Sequence, residues 1–194
     1  MVVNLEIGLT PRLTSIDLGS PITIGALDVA RSPALSALAA PGASAVDAVQ
    51  LHDLPALTRL DLPGLVRLGD LFMEDVPSLA AIDLGGAASL DHLAIHGQTY
   101  AHIDLPSITS IDAAIIADTL SLTRLALPAL TELTRLDLRD NAALSTVELP
   151  SLGDSDWVVT ADDNPALFCV TAEPALAAPP PGCSVTGSGN ACDP

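Results

Sequence analysis

Lysine is absent from the chain. All seven basic residues among 194 are arginines, set against 24 Asp and Glu, so the formal charge is −17. Without clustered positive charge the chain cannot grip a phosphate backbone or an anionic membrane surface. A phosphate loop of the Gly-x-x-x-x-Gly-Lys type is excluded outright. Aromatics are almost as scarce. Phe72, Tyr100, Trp157 and Phe168 are the whole set, too few to stack bases in a row. No apolar run approaches the roughly 18 residues of a membrane-spanning helix. The opening Met-Val-Val-Asn-Leu-Glu has no basic stretch before it turns apolar, and Glu6 and Pro11 interrupt it, so it does not read as a secretory signal. Cysteine is rare and lopsided: Cys169, Cys183 and Cys192 all fall in the last 26 residues. Three thiols allow at most one intrachain disulfide. No Cys-x-x-Cys or Cys/His spacing points to zinc, and no metal or cofactor is expected. Cysteines confined to one end read as a stapled cap, which implies an oxidising compartment outside the cell or at its surface.

What is abundant is small aliphatic side chain. The chain is 49% hydrophobic with a mean hydropathy of +0.47, which a disordered acidic chain would not have. The aliphatics recur at a fixed interval. Leu13, Leu35, Leu57 and Leu79 stand 22 residues apart; Tyr100 follows after 21, Leu122 and Leu144 after 22 each, and Leu167 after 23. Each unit carries two alternating segments. Val49-x-Leu51, Leu71-x-Met73, Leu93-x-Ile95 and Leu136-x-Leu138 represent the first; Leu60-Asp61-Leu62, Ile82-Asp83-Leu84, Ile103-Asp104-Leu105 and Val147-Glu148-Leu149 the second. Alternation with period two is the signature of a strand. Prolines recur at the joints, as Pro33, Pro55 and Pro77 before the anchor and Pro63, Pro106 and Pro128 after the second strand. Proline cannot donate to a ladder, so it marks corners. A 22-residue unit with two strands and two corners has no room for a long helix. The expected fold is all-β, a solenoid of about eight coils over residues 1–171. Residues 172–194, turn-rich and without the period, form a cap or linker. Ala40 and Ala43 replace the expected leucines, so looser packing is expected near that end.

The strings Leu57-Thr-Arg-Leu-Asp-Leu-Pro-Gly-Leu65 and Leu122-Thr-Arg-Leu-Ala-Leu-Pro-Ala-Leu130 resemble the receptor L-domain family, within the leucine-rich-repeat-like solenoids. The stretch from Leu133 to Leu144, with Asn141, also fits an ordinary leucine-rich repeat, and the ending Asn164-Pro-Ala-Leu-Phe-Cys169 is similar to the end caps of bacterial secreted or surface members. The resemblance implies a right-handed β-solenoid used for recognition and not catalysis. It also implies a Cys169–Cys192 disulfide that leaves Cys183 free.

Candidate sites follow from the repeat columns. Asp61, Asp83 and Asp104 continue an acidic ladder that begins at Asp17 and ends at Glu148, with Ala39 and Ala126 as gaps. Stacked carboxylates could share a cation, but a solvated face is the simpler expectation, and the Gly-rich calcium repeat is missing. Asp53, Asp75, Asp118, Asp140 and Asp163 form a corner column whose expected role is to accept backbone hydrogen bonds. His52, Glu74 and His96 share a column without the convergence that zinc needs. No nucleophile constellation appears, and corners without insertions build no walled cleft for paired acids. The outward column of the first strand runs Glu6, Asp28, Gln50, Phe72, Ala94, Ile115, Asp137 and Thr160. Its apolar middle, Phe72, Ala94 and Ile115, is the candidate binding patch. The function expected is therefore non-catalytic: an extracellular or cell-surface recognition or scaffold module that binds a protein partner. A carbohydrate-active solenoid of the polysaccharide-lyase kind, or a cation-binding surface protein, is the alternative.

Overall fold

A computed structural model describes residues 2–19, 22–97, 102–152, 157–167, 169–171 and 184–186. The fold is an all-β solenoid of about seven turns with a spacing of about 22 residues. Eight anchors enclose seven intervals: from Leu13 to Leu167 is 154 residues, or seven times 22.

Two compact units divide the chain, Met1–His92 and Leu93–Pro194. In the first, long strands β1 (Val2–Gly8), β3 (Ile22–Ala30), β5 (Ala43–His52) and β7 (Arg67–Glu74) alternate with short strands β2 (Ser15–Asp17), β4 (Ala37–Ala39), β6 (Arg59–Asp61) and β8 (Ala81–Asp83). β9 (Ser89–His96) carries the chain into the second unit. There, short strands β10 (His102–Asp104), β12 (Arg124–Ala126), β14 (Thr146–Glu148) and β16 (Cys169–Thr171) alternate with long strands β11 (Ser110–Ala117), β13 (Glu132–Arg139), β15 (Val158–Asp162) and β17 (Ser184–Thr186). Within each unit long strands pair in parallel with long and short with short, each with the equivalent strand one turn on. Ser184–Thr186, beyond the last regular repeat, still pairs with Val158–Thr160.

Three corners close each turn, and the sequence explains each. After a long strand, one residue takes a positive φ: Leu9, Arg31, Asp53, Asp75, Asp118, Asp140 and Asp163 lie between 49° and 59°, and Gly97 is at 88°. Aspartate tolerates this left-handed region better than most residues. Backbone conformation thus accounts for the aspartate column, ahead of the side-chain acceptor role expected for it. Next comes a β-turn, most often with proline at its second position, though Ala142 holds it in the turn closed by Leu144 N–H on the Asn141 carbonyl (3.1 Å). Leu35 N–H donates to the Ser32 carbonyl (3.0 Å) and Leu57 N–H to that of Leu54 (3.1 Å). The same turn recurs after the short strand, where Leu65 N–H meets the Leu62 carbonyl (3.1 Å) and Leu130 N–H that of Leu127 (3.2 Å). Proline is preset for this position and its missing N–H loses nothing there.

Inward columns stack like on like. Leu27, Val49 and Leu71 are in register, as are Val29, Leu51 and Met73, and all six are essentially inaccessible. In the second unit Ala114, Leu136 and Val159 do the same. Ala40 and Ala43 are fully buried. At the same end, Val3, Leu5, Ile7, Leu13 and Leu18 of the first turn are only half-buried. Nothing in the first unit pairs with β1 on the side away from β3 among the described residues.

A polar ladder runs through the second unit's interior. Asn141 and Asn164 are fully buried. The Asn164 side-chain oxygen accepts from Asn141 Nδ2 (2.9 Å), and Asn164 Nδ2 donates to the carbonyls of Leu138 (3.0 Å) and Asp162 (2.9 Å). Asn141 Nδ2 also donates to the Ile116 carbonyl (2.9 Å), and its oxygen accepts from Thr119 Oγ1 (2.6 Å) and Thr119 N (3.2 Å). These amides tie successive turns where the bend leaves backbone groups without strand partners.

Candidate functional site: the outward strand faces

The outward column that contains the candidate patch stands in the register the repeat requires: Glu6 faces Asp28, Asp28 faces Gln50, and Gln50 faces Phe72. In the second unit Ile115 faces Asp137, which faces Thr160. Phe72 is half-buried, Ala94 likewise, and Ile115 is 37% exposed. All three sequence-derived patch residues are therefore on the outer surface of long strands, Phe72 in the first unit and Ala94 and Ile115 in the second.

Around Phe72 the first unit carries two histidine–carboxylate pairs, one of which joins His52 and Glu74 of the column read from the sequence. His52 Nδ1 lies 3.2 Å from Glu74 Oε2, and His92 Nδ1 lies 2.8 Å from Asp70 Oδ1. Each joins a residue to one on the neighbouring turn 22 positions away. The His52 ring also packs on Phe72, with centroids 5.0 Å apart and planes tilted by 37°. The signal was present as the 22-residue separation itself, applied to His52 with Glu74 and Asp70 with His92. Among the described residues no cluster of three or more His, Cys, Asp or Glu is placed to hold a metal ion, and the His52–Glu74–His96 column forms none.

In the second unit the outward column is not simply apolar. Asp137 is 3% exposed. Its Oδ2 accepts from Arg135 Nε (3.1 Å) and Arg139 Nη2 (2.9 Å), two residues away on either side of the same strand face. Oδ1 is buried with no hydrogen-bond partner among the described residues. Val158, 39% exposed, and Ile115 flank this trio.

The acidic ladder on the short strands stands in the expected register. Asp17 faces Ala39, Ala39 faces Asp61, and Asp61 faces Asp83. It is not a bare row of carboxylates. Arg59, two residues before Asp61 on the same face, forms an ion pair with it, and the bond to Asp61, with the fields of Asp61 and Asp83, raises the Arg59 pKa. In the second unit Arg124 grips Glu148 on the next turn through Nε (3.0 Å) and Nη2 (2.8 Å). That bond holds the Glu148 carboxyl below the usual carboxylate range. The Asp104 side chain lies outside the described residues, as do those of Cys169 and Cys192 and the disulfide expected between them.

No helix among the described residues is long and apolar enough to cross a membrane. Compared with protein-family models, curated proteins and solved structures, the chain finds no match.

Proposed function

We propose that this solenoid is a non-catalytic recognition or scaffold module that acts outside the cell or at its surface and binds a protein partner through the outer face of its long strands. The observation that carries this reading is the outward column itself. It places a large aromatic, Phe72, and a 37% exposed Ile115 on faces whose neighbours are polar, where exposed apolar groups mark partner sites. Turns of nearly constant length give these faces no walls, which favours a broad macromolecular contact over an enclosed substrate. The resemblance of the Leu57–Leu65 and Leu122–Leu130 strings to receptor L-domains supports the same reading, and cysteines gathered at one end support the oxidising location.

The test is capture of a partner from the surface fraction of the source organism by the recombinant chain. Phe72→Asp and Ile115→Asp are expected to abolish capture while the strand signal in circular dichroism stays. Asp61→Asn, on the short strands, is expected to leave capture intact. Capture that survives both outward-face variants would overturn the reading.

A further inference from the structure

We infer that the open edge of the first unit takes a second copy of this chain, with β1 pairing antiparallel to β1 of that copy about a two-fold axis through Leu5. This surface is separate from the outer face of the long strands. β1 pairs with β3 on one side, and among the described residues nothing pairs with it on the other. Leu9 N–H donates to the Ala30 carbonyl (3.3 Å). Adjacent residues of a strand point their backbone groups to opposite sides, so Gly8 and Glu6 offer theirs to the open side. The usual devices that blunt an edge are few. Val2–Gly8 holds one charged residue, no proline and no lysine. The apolar columns also stop here. Val3, Leu5 and Ile7 are only half-buried, whereas Leu27 and Val29, which face Leu5 and Ile7 from β3, are fully buried.

The sequence about Leu5 selects a second copy as the occupant. An antiparallel two-fold there sets Leu5 against Leu5, Val3 against Ile7 and Asn4 against Glu6, and each unlike pair occurs twice. The inward pairs are all aliphatic, and cross-strand pairs of this kind are what hold a sheet together. The outward pair is complementary in its hydrogen bonds. Asn4 Oδ1 accepts from Ala26 N–H (3.0 Å), which fixes the amide and leaves Nδ2 as a donor. Glu6 is exposed, faces Asp28 on β3 and has no hydrogen-bond or ion-pair partner among the described residues. An amide from the second copy supplies the donor that this carboxylate lacks. The local charge permits the approach. Residues 2–19 hold one Arg and two acids, and 1 − 2 gives −1 of the chain's −17, so two copies meet here with little of the repulsion of their whole surfaces.

The experiment is sedimentation velocity of the full chain in about 0.15 M NaCl, which screens the long-range repulsion, at concentrations up to about 100 μM. A dimer whose share grows with concentration is expected. Asn4→Asp keeps the acceptor for Ala26 N–H but sets a carboxylate against Glu6 of the second copy, and is expected to raise the dissociation constant about tenfold. Adding Glu6→Lys to Asn4→Asp restores opposite charges across the two-fold and is expected to bring the dimer back. Phe72→Asp and Ile115→Asp, on the outer faces, are expected to change it less than twofold. A monomer at the highest concentration would overturn the inference. So would a dimer indifferent to Asn4→Asp, or one that the added Glu6→Lys does not restore. A dimer lost on Phe72→Asp or Ile115→Asp would place the contact on the outer face, and the edge pairing would be wrong.

Discussion

Leu9 and Arg31 occupy a bend that aspartate fills in five later turns and glycine in another. A side chain with a tetrahedral Cβ and no local hydrogen-bonding group is strained there by roughly 1–2 kcal/mol. Arg31→Asn is therefore expected to stabilise the protein by about 1 kcal/mol, visible as a melting temperature about 2–4 °C higher. No change, or a fall, would show that the bend is unstrained. Asn141→Ala should act in the other direction. It removes the donor to the Ile116 carbonyl and the acceptor for Thr119, and stranding buried polar groups costs about 1–3 kcal/mol. The same two residue types mark what was legible. Aspartates at 22-residue intervals announced the corner column, although their φ values were not readable from composition. Asn141 and Asn164 each stood out in the sequence, but the bond between them did not, because the ladder depends on which atoms the bend leaves without partners. Those atoms are set by three-dimensional closure.

At the scale of the strand, inward and outward positions make opposite predictions. Leu57 is fully buried at the first turn after β5, and Leu57→Ala is expected to lower the unfolding free energy by about 2–5 kcal/mol in denaturant titration. Phe72→Asp, on the outer face, should leave the strand signal and the midpoint close to those of the parent. A pH effect belongs to the short strands. Because the Arg124 bond depresses the Glu148 pKa, its contribution is present above the unfolded pKa and is lost as pH falls through the folded value. Glu148→Gln is expected to flatten that part of the acid limb of the stability curve. An unchanged limb would mean that the ion pair is too solvated to contribute. Alternation along Leu71-x-Met73 was enough to identify a strand and its face. It did not show that Leu68 belongs to the same strand, because Gly69 and Asp70 intervene and break the period of two. The same step recurs in the other long strands, between Val46 and Val49, Leu90 and Leu93, and Leu133 and Leu136, so it belongs to the repeat and not to one residue. The repeat put His52 and Glu74 in one column but did not show the bond between them, and the Asp70–His92 pair was not read at all, since each joins residues of adjacent strands and no window along the chain contains both partners.

For the molecule as a whole, a charge of −17 on 194 residues opposes compaction. Added sodium chloride screens it, so the melting temperature is expected to rise by about 2–4 °C for each kcal/mol recovered. A melting temperature that falls with salt would show that ion pairs such as Arg124–Glu148 outweigh the net repulsion. The period and the register of the outward columns could be read from the repeat, because each turn states them again, whereas counting anchors gave about eight coils for a fold of about seven turns. The chemistry around Phe72 could not, because it occurs once. The bonds between turns have a further consequence, for the time the chain takes to fold. Side-chain bridges such as Thr58 to Ser36 and Ser36 to Thr14 each span 22 residues, and so do the strand pairings Leu27–Val49 and Val49–Leu71. Closing a loop of that length carries a length-dependent entropy of about 2.7 kcal/mol, and it is the same at every turn. Once two turns have met, each later one joins a finished edge over the same short chain distance, and the search does not lengthen as the stack grows. Duplicating residues 54–75 should therefore leave the refolding rate in stopped-flow experiments within a few-fold of the parent while slowing unfolding. A refolding rate that drops steeply with the added turn would mean that the strands assemble from a collapsed state and do not add in sequence.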